Sequence, residues 1–121
     1  MNDASTNISD LKAMVRSFCE KREWDQFHSP KDLAIGISTE SSELLQLFRF
    51  KNESEVELMM KDCKTRSRIC EELSDTFYFV LRFAQMNEID LSNELSKKMT
   101  VNSEKYPIDT FRGSNRKYTE I

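Results

Sequence analysis

Two glycines (Gly36, Gly113) and two prolines (Pro30, Pro107) are the whole supply of those residues in 121 positions. Tight reversals draw on residues that accept positive φ or a preset φ, so a chain this poor in them can build few hairpins. Long elements joined by few loops remain, which predicts an all-α protein. The apolar spacing agrees. Ile8, Leu11, Val15 and Phe18 fall on one helical face and predict a first helix over residues 5–22. Ser29-Pro30 is a helix start, with serine as the cap and proline at the first helical position. Leu33, Ile37, Leu44, Leu47 and Phe48 carry that second helix to about residue 51. Gly36 inside it costs about 1 kcal/mol against alanine, so a close helix contact or a ligand is expected there.

Ser54 with Glu57 three residues on has the pattern of a capping box, and Asp62 is a second cap. Ile69, Leu73, Phe77, Val80, Leu81 and Ala84 mark one long face to about residue 88. Were residues 54–88 a single rod antiparallel to the second helix, Glu43 and Glu72 would miss one another by about 15 Å along the axis. A break at Lys61-Asp62 removes that mismatch and is expected. Asp90 caps a last helix over 91–104, and Pro107 ends it. The expected fold is an all-α, four-helix-bundle-type protomer with a short extra helix. It is one domain over 1–121, with 105–121 as a basic C-terminal tail.

The net charge of −3 argues against a nucleic-acid polymer as the main partner. No apolar stretch is long enough for a membrane span and "MNDASTNISD" has no signal-peptide pattern, so a cytoplasmic protein without a membrane partner is expected. Cys63 and Cys70 are about 10 Å apart on a helix, too far for a disulfide, and all three cysteines are read as reduced, semi-buried thiols. One histidine leaves a zinc site short of ligands.

Chemistry enters with two acidic pairs. Glu40 and Glu43 are three residues apart, as are Glu72 and Asp75, and each pair precedes or enters an apolar run. One helical turn puts both members of a pair on one face. Two such helices can form a carboxylate cage inside a bundle, where crowding and desolvation oppose ionisation unless a cation is present. Hard oxygen ligands suit Mg²⁺, with Mn²⁺ as a substitute, and Mg²⁺ commonly meets substrate phosphates. Such pairs also arise by chance on an acidic helical protein, and Glu20 with Glu23 is read as surface. A di-iron site needs Glu-x-x-His motifs that the chain lacks. Phe50 follows Glu43 by seven residues and Phe79 follows Glu72 by seven, placing each ring about 10 Å along the same stripe. A base could stack there while its phosphates meet the metal. On antiparallel helices the two rings point to opposite ends, so one would have to come from a neighbouring subunit; either ring also fits a core role. His28 fits a hydrogen bond to a helix end equally well, and Trp24 also fits a core role. A non-catalytic helical oligomeric binding module and a phosphatase releasing orthophosphate are the other readings of these residues.

Glu40-x-x-Glu43, then 28 residues, then Glu72-x-x-Asp75 resembles the signature of the MazG-like all-α nucleotide pyrophosphohydrolases. "REWDQFHSPKDL", "SSELLQLFRFK", "EELSDTFYFVL", "KKMTVNSEKYP" and "GSNRKYTE" are similar to the dCTP pyrophosphatase branch. The resemblance implies a homodimer or homotetramer and Mg²⁺-dependent cleavage between the α and β phosphates of a nucleoside triphosphate, in nucleotide-pool house-cleaning. It implies metal binding by Glu40, Glu43, Glu72 and Asp75; as a mechanism, Glu43 or Glu72 is expected to orient the attacking water as general base. It implies base contacts from Trp24, His28, Phe50, Phe79 and Asn102, and phosphate contacts from Lys98, Lys105, Tyr106, Arg112 and Lys117. Phe50 and Phe79 stand where that branch usually has tryptophan and tyrosine. Stacking survives both changes, but one ring hydroxyl is lost.

Overall fold

A computed structural model describes residues 1–120, and Ile121 lies outside the described residues. Six α-helices follow one another: α1 (Ile8–Glu20), α2 (Pro30–Phe48), α3 (Glu53–Lys61), α4 (Cys63–Met86), α5 (Leu91–Lys105) and α6 (Ile108–Phe111). Short 3-10 turns occur at Asp25–Phe27 and Tyr118–Glu120, and no strand occurs among the described residues. None of the described helices is long and apolar enough to cross a membrane.

Local chemistry fixes most of the boundaries. Ser29 caps α2 by accepting from the Asp32 N–H, with Pro30 at the first helical position. Asp62 accepts from the Thr65 N–H and starts α4, which makes the expected break at Lys61-Asp62 real. Asp90 does the same for α5 through the Asn93 N–H. One cap differs from expectation. Asn52, not Ser54, opens α3: its side chain accepts from the Glu55 N–H at 2.9 Å, and Glu55 accepts in return from the Asn52 N–H. Asn and Ser cap about equally well, and starting two residues earlier gives this short helix extra backbone hydrogen bonds. Beyond Pro107, where α5 was expected to have ended the helical structure, the chain makes the further single turn α6.

Residues Met1–Glu88 form one compact unit and the chain from Ile89 a second. In the first, α2 and α1 both pack on α4. Val15 and Cys19 of α1, Leu33 of α2, and Ile69, Leu81 and Ala84 of α4 are the buried apolar residues. Cys19 also meets Tyr78, Sγ to Oη 3.0 Å, which ties α1 to α4 by a polar contact. The expected apolar face of α4 is only partly covered: Leu73 and Phe77 stay exposed on a flank that also lines an open cavity of about 590 Å³. The thiols differ from the expected semi-burial. Cys19 is fully buried, while Cys63 and Cys70 are exposed because they lie on uncovered faces of α4.

The α2–α4 seam has heptad-like spacing. Leu33, Gly36, Glu40, Glu43 and Leu47 advance along α2 by alternating steps of three and four, as do Glu72, Asp75, Phe79 and Arg82 along α4. Those steps keep residues on the stripe that faces a packed partner. Two layers of what would be an apolar seam are therefore carboxylates. The Phe79 ring lies on Gly36, where an added Cβ would sit 2.5 Å from ring carbons. That contact accounts for a glycine in mid-helix. Pairing Phe79 with Gly36, and Glu72 with Glu40 and Glu43, sets the helices antiparallel.

In the second unit the tail is organised. Tyr106 makes edge contacts with Phe111 and Tyr118, at centroid distances of 4.8 and 5.8 Å. The Lys105 ammonium stands 4.9 Å over the Tyr118 ring.

Candidate active site

Glu40 and Glu43 from α2 and Glu72 from α4 bring one carboxylate oxygen each within 4.8 Å of the other two. Glu40 Oε2 and Glu72 Oε2 are buried and have no hydrogen-bond partner among the described residues. Burial pushes the Glu40 carboxyl above the ordinary range, and the charges of Glu43, Asp75 and Glu72 add to that shift. Burial likewise raises Glu72, followed by Glu43 and Asp75. Asp75 is exposed and lies outside the three-oxygen group, but its charge reaches Glu40 and Glu72. Buried acceptors without donors, crowded with like charge, are unfavourable for a chain alone. The same set suits a hard divalent cation, which satisfies the orphaned lone pairs and removes the repulsion.

The aromatic residues divide by position. Phe79, half-buried on Gly36, touches Tyr78 edge-on at 5.0 Å. From there a chain of edge contacts runs through Phe18 (6.1 Å) to Trp24 (5.6 Å) and His28 (6.3 Å). Phe18 and Tyr78 thus connect Trp24 and His28 to Phe79. Phe50 is elsewhere. It follows the α2 C-cap with φ of 65° and is 88% exposed, with the Arg49 guanidinium 4.6 Å from its ring. Fourteen residues separate it from Gly36, about 20 Å along α2, so it lies on the far side of the carboxylates from Phe79. Positive φ is costly for a bulky side chain, and a fully presented phenyl ring gains nothing from the solvent.

Arg82 carries a signal that the sequence reading missed. It is the one buried charged residue among those described, at 0% exposure. Its Nε donates to His28 Nδ1 at 3.0 Å, Nη1 donates to Gln85 Oε1 at 2.5 Å, and Nη2 pairs with Asp25 Oδ1. An arginine three residues past Phe79, on the stripe that carries Glu72 and Asp75, was the available sequence clue.

The remaining predicted residues belong to the second unit. Asn102 is half-buried on α5; Lys98 is exposed on the same helix, and Lys105 closes it beside Tyr106. Arg112 follows α6, and the Lys117 N–H donates to Glu120 Oε2 at 3.1 Å.

The family model described as "MazG-like family" matches residues 35–121. The chain belongs to the MazG-like family. Among curated relatives, dCTP pyrophosphatase 1 of Rattus norvegicus and that of Homo sapiens are each 32% identical over 114 residues, covering 94% of this chain and 67% of theirs. The crystal structure of a pyrophosphatase from Archaeoglobus fulgidus superposes with a TM-score of 0.77 at 29% identity, covering 88% of this chain and 98% of that one. The matched MazG-like segment includes both acidic pairs and both seam partners, Gly36 and Phe79, while Trp24 and His28 precede it.

Proposed function

We propose that this MazG-like chain is a nucleoside triphosphate pyrophosphohydrolase that acts on dCTP-like deoxynucleotides and releases a monophosphate and pyrophosphate. The observation that carries the site assignment is the pair of orphaned oxygens, Glu40 Oε2 and Glu72 Oε2, within a carboxylate group assembled from two helices. Glu40, Glu43, Glu72 and Asp75 are the residues that would hold Mg²⁺, or Mn²⁺ in its place. The ion would polarise the α-phosphoryl group and neutralise charge on the phosphates.

The reaction is attack of water on the α phosphorus. The bond between that phosphorus and the α–β bridging oxygen breaks, and the electron pair leaves with pyrophosphate. Glu43 or Glu72 takes the proton of the attacking water. Trp24, His28 and Phe79 supply the base with flat apolar faces and one polar edge. Phe50 joins a base site only from a neighbouring copy, since about 20 Å of α2 separates it from Gly36. That position, its exposure and its positive φ support assembly as a homodimer or homotetramer, as does the exposure of Ile35, Leu45, Leu73 and Phe77. The family resemblance implies base contact by Asn102 and phosphate contacts by Lys98, Lys105, Tyr106, Arg112 and Lys117.

The test is product analysis. The protein is incubated with each common ribo- and deoxynucleoside triphosphate, with and without Mg²⁺. Monophosphate plus pyrophosphate, only with the cation, is the expected result. Diphosphate plus orthophosphate, or no turnover of any nucleotide, overturns it. Light scattering on the same sample gives the oligomeric state, and a monomer at assay concentration removes the role given to Phe50.

A further inference from the structure

A fully buried guanidinium needs a counter-charge, and Asp25 provides one. Two further partners, His28 and Gln85, are neutral acceptors, and the choice of a ring nitrogen has a chemical consequence. Arg82 cannot give up its protons, so its Nε–H bond requires a lone pair on His28 Nδ1. The imidazole proton must then sit on Nε2, which has no hydrogen-bond partner among the described residues. The ring is half-buried beside Trp24, and the 3-10 turn Asp25–Phe27 that leads into it is anchored to α4 through the same guanidinium.

We infer that Arg82 is a positioning residue of the base site: backed by Asp25, it locks His28 as the neutral Nε2–H tautomer, so that an incoming base meets a donor and never an acceptor. The ligand group recognised is a base carbonyl oxygen or an unprotonated ring nitrogen. This rests on the assignment of His28 to the base in the proposed function. Protonation is opposed by burial of the ring and then by the Arg82 charge, while Asp25 and Asp32 act in the other direction. These are the charged groups that bear on the ring from the preceding turn, from α2 and from α4.

His28 is the sole histidine, so its two ring nitrogens give the only imidazole signals in a long-range ¹H–¹⁵N spectrum of the full chain. At pH 7 the wild-type protein is expected to show a single neutral ring with Nδ1 unprotonated, titrating below 6.5. Arg82→Lys keeps the charge but loses the planar Nε donor, and should admit the Nδ1–H tautomer. Arg82→Met should do so as well and move the titration upward, toward 6.5. A charged or Nδ1–H ring in the wild type overturns the inference whether or not either variant folds, and so does an unaltered ring in a folded variant. In activity assays at saturating Mg²⁺, Arg82→Lys should reduce the kcat/KM ratio between the best and second-best nucleotide about tenfold, one hydrogen bond's worth of discrimination. His28→Ala should do the same, and the double variant should lose no more than His28→Ala alone. Additive losses overturn the coupling. If His28→Ala leaves discrimination intact while the spectra behave as expected, it is the placement of the base at His28 that fails, and the positioning role at the base fails with it. Loss of the proposed reaction itself is read separately, from the product analysis.

Discussion

Replacing Glu40 by Gln should stabilise the metal-free protein while damaging its response to Mg²⁺. Glu40 places an oxygen within 4.8 Å of oxygens on both Glu43 and Glu72. At that distance two unit charges repel by about 0.9 kcal/mol in water-like surroundings and about 3.5 kcal/mol at an effective dielectric near 20. Glu43 is exposed, and Glu40 and Glu72 are as residues only partly buried, so the lower figure governs each pair. Two pairs relieved amount to about 1–2 kcal/mol, or about 4–8 °C in Tm for a chain of this size. The sign with pH is fixed by the direction of the shift. The Glu40 carboxyl is raised in the folded protein, so its folded state holds a proton that the unfolded chain releases. Its stabilisation is full below the unfolded value of about 4.5 and is lost as pH rises through the higher folded value. Thermal melts in chelator should therefore show Glu40→Gln above wild type at pH 7.5, with the gap closing toward pH 4.5. Adding Mg²⁺ should raise the wild-type Tm by more than the variant's, by mass action on the folded state. A variant that melts lower than wild type in chelator at pH 7.5, or that gains as much from Mg²⁺, refutes the claim that these carboxylates are held together against their charge for a cation.

Glu43→Ala and Asp75→Ala should each abolish pyrophosphate release while the far-ultraviolet circular dichroism remains that of the wild type; either one retaining near-normal turnover removes it from the metal site. Gly36→Ala should destabilise by about 1–3 kcal/mol in chemical denaturation, because its methyl must displace the Phe79 ring, and most of that loss should vanish in a Phe79→Leu background. Phe50→Gly relieves a strained backbone and should leave stability unchanged or raised by up to about 1 kcal/mol, yet raise KM for the nucleotide about tenfold through lost stacking. An unchanged KM separates Phe50 from the base.

Much of this was legible in the linear chain. Ser29-Pro30, Asp62 and Asp90 start helices through hydrogen bonds that reach three residues, so a reader of the sequence can place them. Ser54 was expected to open α3 and Asn52 does so instead: its box with Glu55 has the same three-residue reach as the one expected from Ser54 to Glu57, so local spacing alone does not rank the two. The acidic pairs were visible because their spacing is one helical turn. Their convergence was not, for it depends on the level at which α4 passes α2, and the expectation of a break at Lys61-Asp62 was as far as axial arithmetic could go. The coverage of α4 was also out of reach: Leu73 and Phe77 have the same periodicity as Ile69 and Leu81, and only the paths of α1 and α2 decide which are exposed.

Sequence alone determined that this chain is helical, where most of its helices begin, and that two of them carry carboxylates at one-turn spacing. Tertiary structure decided that Glu72 meets Glu40 and Glu43, that Phe79 rests on Gly36, and that Arg82 reaches back 54 residues to His28. Caps and periodicity are settled by hydrogen bonds and side chains within a few residues. The site is made by contacts between helices, and their partners are chosen by the packing of the whole seam.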